Sequence, residues 1–216
     1  MTLILDRRAP APGSTLADRL VPAGIAARLG SRSRDTALVA VAALLIALSA
    51  AVSIRLPDNP VPITGQTFGV LLVAGALGLR RGLAATVLYV AIGVIGLPAF
   101  AEGKGGLGVI AGVSDGRLVL GATGGYLVGF VLAAGLVGLL AERGWDRRPP
   151  GALAAMALGN VAIYAIGLPW LAAATGFSPA ETIAKGLVPF LVGDVVKLLL
   201  AAGVLPAAWW VVGRQR

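Results

Sequence analysis

Charge is missing from this chain over stretches long enough to cross a lipid bilayer, and that absence limits its possible folds more than any other feature. No Asp, Glu, Lys or Arg occurs between Thr36 and Ile54, between Leu118 and Ala141, or between Gly151 and Leu168. About 20 consecutive apolar residues suffice to span the hydrocarbon core as a helix. Six segments of this character are predicted. They are Thr36–Ile54, stopped by Arg55, Pro57 and Pro60; the short Thr67–Leu79, ending at Arg80-Arg81; Gly82–Leu97, closed by Pro98; Leu118–Ala141; Gly151–Leu168; and Leu187–Val212. The runs are too long and unbroken for the alternating strands of a membrane barrel. Charged residues make up 13% of the chain, against roughly 25% in soluble proteins, so a soluble surface is not available. The 31 glycines, roughly twice the usual share, suit close helix packing in lipid. The expected fold is therefore an all-α membrane protein with six transmembrane helices over residues 36–212. A basic arm, 1–35, precedes them, and a short tail, 213–216, follows.

The arm has no uninterrupted apolar core and does not read as a secretory signal. Pro10, Pro12 and Gly13 predict a flexible start, and Leu16 to Leu29 a short surface helix with arginines on its polar face. Cation placement then orients the bundle. With alternating crossings, one side holds Arg7, Arg8, Arg19, Arg28, Arg32, Arg34, Arg80, Arg81, Arg143, Arg147, Arg148, Arg214 and Arg216, thirteen in all. The other side holds four, Arg55, Lys104, Arg117 and Lys185. By the positive-inside rule the thirteen face the cytoplasm, which puts both termini on the cytoplasmic side. The same clustering explains the net charge of +8 without nucleic acid as a partner. The phrases Ile95-Gly96-Leu97-Pro98 and Ile166-Gly167-Leu168-Pro169 each predict a helix end or kink, because proline lacks the helical donor.

The chain contains no cysteine and no histidine, which excludes disulfides, thiolate chemistry, structural zinc and imidazole bases. No carboxylate pair or nucleophile beside a base stands out, so an enzyme is not expected. No G-x-x-x-x-G-K-[ST] sequence occurs either, so no ATP-hydrolysing site is expected within the chain. Glu102 to Gly108 formally matches G-x-G-x-x-G, but no strand precedes it; a glycine-rich lid over an outward-facing pocket fits better.

A few polar residues interrupt the spans. Asp194 and Lys197, three apart, share one helix face and can neutralise each other, as a functional pair or a structural one. Asn160 and Tyr164, one turn apart, can line a site or tie helices together. Thr64, Gln66 and Thr67 form an uncharged donor–acceptor group ahead of the second span, where one threonine can also serve as a helix cap. Small residues recur every fourth position at Gly121, Gly125 and Gly129, and at Ala43, Ala47 and Ala51. Such stripes let backbones approach closely, within the bundle or against another protein.

These motifs, taken in order, resemble the BioY family, the biotin-capturing S components of energy-coupling-factor vitamin transporters. The likeness covers about residues 36–212. It rests on Val61-Pro62-Ile63-Thr64-Gly65-Gln66-Thr67, on Gly121-Ala122-Thr123-Gly124-Gly125-Tyr126 with Gly129-Phe130, on Gly159-Asn160 with Tyr164 and Gly167, and on Pro189-Phe190 with Gly193-Asp194 and Lys197. Ala122 stands where proline is expected, and Val109 to Leu120 form a longer, more polar link than usual. The resemblance implies a six-helix fold, biotin capture from outside, and partnership with a transmembrane coupling subunit and two ATPase subunits; transport without those partners stays open. It implies no cofactor, biotin being the ligand. Biotin's ureido ring offers two N–H donors and a carbonyl, which Asp194 or Asn160 and Lys197 can match; Gln66 and Thr64 add polar groups. Tyr126 and Tyr164 supply walls for the bicyclic body. Arg117 or Lys104 is the candidate partner for the carboxylate, and whether Lys197 meets the ureido ring or the carboxylate stays open. The alanines Ala43, Ala47 and Ala51 are the expected partner interface. The alternative keeps this mechanism and changes the ligand to another vitamin or small solute.

Overall fold

The computed structural model describes residues 14–20 and 30–214. Five of its helices are long and apolar enough to cross a membrane, among the described residues. The order is α1 (Leu16–Leu20), α2 (Ser31–Ala51), β1 (Ser53–Ile54), β2 (Ile63–Thr64), α3 (Gln66–Val94), β3 (Ala111–Ser114), β4 (Arg117–Leu120), α4 (Gly124–Glu142), α5 (Pro149–Thr175), α6 (Pro179–Gly186) and α7 (Val188–Arg214). The chain is a mostly helical, multi-pass membrane bundle.

Helix α3 is not a straight rod. Gly78 inside it adopts φ 79°, ψ −174°, a conformation that favours glycine. A Cβ on Gly82 would lie 2.8 Å from the Cα of Ala74, and the Gln66 amide bonds the Tyr89 hydroxyl. In a continuous helix these pairs would be about 12 and 35 Å apart along the axis. The chain therefore doubles back at Gly78 into two antiparallel arms, 66–77 and 79–94. They correspond to the second and third predicted segments. Arg80-Arg81 stands just past the reversal. The Glu142 carboxylate accepts the Leu79 N–H at 2.9 Å and caps the returning arm.

Other boundaries depart from expectation. The fourth segment was expected to begin at Leu118, but Arg117–Leu120 is a strand paired antiparallel with Ala111–Ser114. Asp115 and Gly116, with φ of 51° and 73°, form the two-residue primed turn that such hairpins prefer. Helix α4 starts only at Gly124. Pro98 follows the end of α3 as expected. Pro169, by contrast, lies inside α5, which continues to Thr175, because a helix surrounded by other helices tolerates the lost bond. Two short hairpins thus cap an otherwise all-α bundle.

Close approach of α4 and α5 depends on the glycine stripe. A Cβ on Gly129 would sit 2.9 Å from the Ile163 Cα, and one on Gly125 would meet the Trp170 side chain at 2.2 Å. This stripe is internal. The alanine stripe also faces largely inward: Ala43 is buried at 2% exposure, Ala47 is half-buried against the core, and only Ala51 is exposed. The outward face of α2 carries Val41, Leu44, Leu45 and Leu48 instead. A helix in lipid can be apolar all round, so spacing does not tell which face turns inward.

The described part of the arm is docked rather than laid on the surface. Leu16 and Ala17 are buried, while Asp18 pairs with Arg81 at 2.8 Å and Arg34 at 3.5 Å. Thr15 and Asp18 exchange side-chain and backbone hydrogen bonds in the manner of a capping box. Arg7, Arg8, Pro10, Pro12, Gly13, Arg28, Arg216 and the stretch 21–29 lie outside the described residues. At this same end Arg147 stacks over Trp209, whose indole N–H donates to the buried Asp146 at 2.5 Å. At the opposite end lie Arg55, Lys104 and Lys185. Arg34, Arg81 and Arg147 thus gather around the docked arm, apart from Arg55, Lys104 and Lys185.

Candidate functional site

A cleft opens at the end of the bundle that holds Arg55, Lys104 and Lys185. Its empty volume is about 700 Å³, mouth included. Every long element except α2 contributes. Val61, Pro62, Thr64, Gln66 and Thr67 come from the entry to α3, and Phe100, Ala101, Glu102, Lys104 and Val109 from the glycine-rich loop above it. Helix α4 gives Thr123, Tyr126, Leu127 and Phe130, α5 gives Asn160, Ile163 and Tyr164, and α7 gives Phe190.

Aromatic rings form much of the wall. Tyr126 meets Tyr164 edge to face at 6.3 Å and lies 6.3 Å from Phe190. Gly167 leaves room for the Tyr126 ring, whose hydroxyl donates to the Gly186 carbonyl at 2.9 Å. Phe100 packs edge to face on Tyr89 at 5.7 Å from the loop side.

The polar groups divide into used and unused. Thr64 donates to the Gln66 side-chain carbonyl at 2.9 Å and accepts the Gln66 backbone N–H at 3.3 Å, while Gly65 is the N-cap residue, so neither threonine caps the helix with its side chain. The Gln66 amide nitrogen donates to Tyr89, so this glutamine braces the two arms of α3 and also lines the cleft. Asn160 is 7% exposed, and its Oδ1 has no hydrogen-bond partner. The Tyr164 hydroxyl donates to Asp194 Oδ2, and Lys197 donates to Asp194 Oδ1 at 3.1 Å. Asp194 and Lys197 therefore form the ion pair their spacing predicts. Neither lines the main cleft. Lys197 borders a narrow adjoining space shared with Thr67 and Asn160, and Asp194 reaches the cleft through Tyr164.

Arg117 is not brought to the site. It is exposed at the turn end of β4, and no residue of that hairpin is among those lining the cleft. Lys104, the other candidate cation, does line it. Residues of the glycine-rich loop line the cleft, and the loop is held by charge: Arg55 donates to Glu102 at 2.5 and 2.7 Å, and Lys104 reaches the same carboxylate at 2.7 Å. Hydrogen bonds from Arg55 first, then Lys104, hold the Glu102 carboxyl far below its usual range, at about 2. Sequence reasoning did not single out Glu102 and Phe100 as lining residues, nor Phe130 and Phe190 beyond their place in the motifs; it also missed Arg55 and Tyr89, which lie outside the lining and hold Glu102 and Gln66. Their partners are distant in the chain; only aromaticity in an uncharged setting could have flagged the phenylalanines.

A family model described as the BioY family matches residues 22–214. A biotin transporter BioY of Rhizobium etli is 36% identical over 178 residues, 79% of this chain and 90% of that one. Its counterpart in Rhodobacter capsulatus is 39% identical over 171 residues, covering 74% and 84%. The one from Thermotoga maritima is 39% identical over 153 residues, covering 69% and 81%. Among solved structures, the S-component for biotin from an ECF-type ABC transporter superposes with a TM-score of 0.71. That likeness covers 82% of this chain and 90% of the other at 23% identity, and it establishes a shared fold.

Proposed function

The chain belongs to the BioY family, and from that premise we propose that it captures biotin as the membrane subunit of an energy-coupling-factor transporter. One observation supports this most directly. Asn160 Oδ1 is a buried acceptor without a donor, at the wall of a cleft otherwise rich in aromatic rings. An unpaired buried polar group costs about 1–3 kcal/mol, which a ligand N–H would remove. Biotin's ureido ring carries two such donors, with Tyr164 beside Asn160 and the Asp194–Lys197 pair fixing the tyrosine from behind. The bicyclic body fits between Tyr126, Tyr164 and Phe190. The carboxylate points toward the mouth, to Lys104.

The action is transport, with no bond of the ligand made or broken. Six crossings follow if each antiparallel arm of α3 counts as one, and both termini then face the cytoplasm of a prokaryotic inner membrane. Residues 1–35 and 213–216 are the cytoplasmic arm and tail flanking the binding domain. Energy comes from a coupling subunit and ATPases. Their docking surface is the outward face of α2, where Ala51 joins Leu44 and Leu48, since Ala43 is enclosed.

Purifying the chain in detergent and identifying the co-purified small molecule by mass spectrometry tests the substrate. Biotin at near-stoichiometric amount is expected. A different vitamin in that role would refute the assignment.

A further inference from the structure

We propose that Glu102 is an internal stand-in for the ligand's carboxylate, holding Lys104 in the empty site, so that the Glu102–Lys104 pair sets how strongly the site prefers an anionic end over a neutral one. This inference rests on the biotin reading above. Its basis is the sharing of one carboxylate by two cations with different surroundings. Glu102 Oε1 takes Arg55 Nε at 2.5 Å, and Oε2 takes both the Arg55 guanidinium at 2.7 Å and Lys104 Nζ at 2.7 Å. Arg55 does not line the cleft, whereas Glu102 and Lys104 both do. The bidentate Arg55 fork is geometrically complete without the lysine. Lys104 can therefore swing to a ligand carboxylate while Glu102 stays clamped to Arg55 and the lid stays tied.

The backbone supplies a second argument. Glu102 has φ 60°, ψ 24°, a left-handed conformation that a glycine would adopt more readily. The loop uses glycine at 103, 105 and 106 but carries a carboxylate at this unfavourable position. That carboxylate is ionised across the physiological range, since its two cationic partners keep it far below its usual titration. An anion is thus permanently placed where it competes with an anionic ligand for the only cation among the cleft-lining residues.

The exchange is inexpensive, because the Lys104 side chain is 51% exposed and such surface pairs are weak. The test compares biotin with its neutral carboxamide, biotinamide, by titration of purified protein. The unmodified chain is expected to prefer biotin. Glu102→Gln should raise that preference by about two- to fivefold, the range of a surface ion pair, because Lys104 then has no competing partner. Lys104→Met should abolish the preference. Loosening of the lid affects both ligands alike and cancels in the ratio. Glu102→Asp, which shortens the reach to Lys104, provides a second variant with the same expected direction if Glu102→Gln folds poorly. A ratio that falls or stays put in the Glu102 variants, or a preference that survives Lys104→Met, overturns the inference. Failure of the unmodified chain to bind biotin at all would instead overturn the functional reading, and this inference with it.

Discussion

The Asp194–Lys197 pair allows a quantitative test of how the site is built. Its charges are 3.1 Å apart, and the two side chains are 6% and 16% exposed. At an effective dielectric constant of about 20, Coulomb's law makes their attraction roughly 5 kcal/mol. Replacing one partner with leucine leaves the other charge buried and alone, which typically costs about 3–5 kcal/mol. Replacing both removes two desolvation penalties with the attraction and leaves stability nearly unchanged. We therefore expect Asp194→Leu and Lys197→Leu each to lower the apparent melting temperature clearly, and the double variant to recover most of the loss. Binding should behave otherwise. Tyr164 loses its acceptor whenever Asp194 is replaced, so biotin affinity should fall by tenfold or more, about 1.4 kcal/mol, in Asp194→Leu and in the double variant. Thermal scans and biotin titrations of the three purified variants decide the matter. A double variant no more stable than the worse single would refute the mutual-neutralisation argument. Unchanged biotin affinity in every variant would remove the pair from the binding site.

Four further outcomes are expected. A reporter active only outside the cytoplasm, fused after Arg216, should stay silent; strong activity would require an odd number of crossings. Ala43→Trp should destabilise the bundle by about 1–3 kcal/mol or more and weaken biotin binding, because the ring enters a packed interior. Ala51→Trp should keep binding and reduce ATP-dependent uptake in cells carrying the partner subunits; normal uptake would place docking elsewhere. The Glu102 carboxyl is held at about 2, from an ordinary 4.5, by Arg55 and then Lys104. A depressed carboxyl contributes stability above its unfolded value and loses it as pH falls toward the folded one. Hydrogen exchange of residues 101–105 without ligand, corrected for intrinsic rates, should therefore be flat from about pH 8 to 5 and rise only below about 4. A rise near neutrality would contradict the ion-pair latch.

What the sequence alone determined is local or statistical in origin. Uncharged runs require membrane helices whatever their packing, and the spacing of three between Asp194 and Lys197 puts them on one helix face before any tertiary contact exists. The same holds for Asn160 and Tyr164, one turn apart and both found lining the cleft. The flanking arginines also mark the ends of the bundle. Tertiary structure decided everything that pairs distant residues or chooses a face. Gln66 meets Tyr89 only because Gly78 reverses the chain, and Arg55 meets Glu102 only because the ends of α2 and α3 lie side by side. Arg117 leaves the site because an Asp115-Gly116 turn makes a hairpin where periodicity suggested the start of a helix. Ala43 turns inward while Leu44 turns outward, which no hydropathy pattern distinguishes in lipid. In water, burial selects the apolar face of a helix and writes that choice into the sequence. In a bilayer both faces are apolar, and shape complementarity between helices makes the choice instead, through contacts that only the folded chain contains.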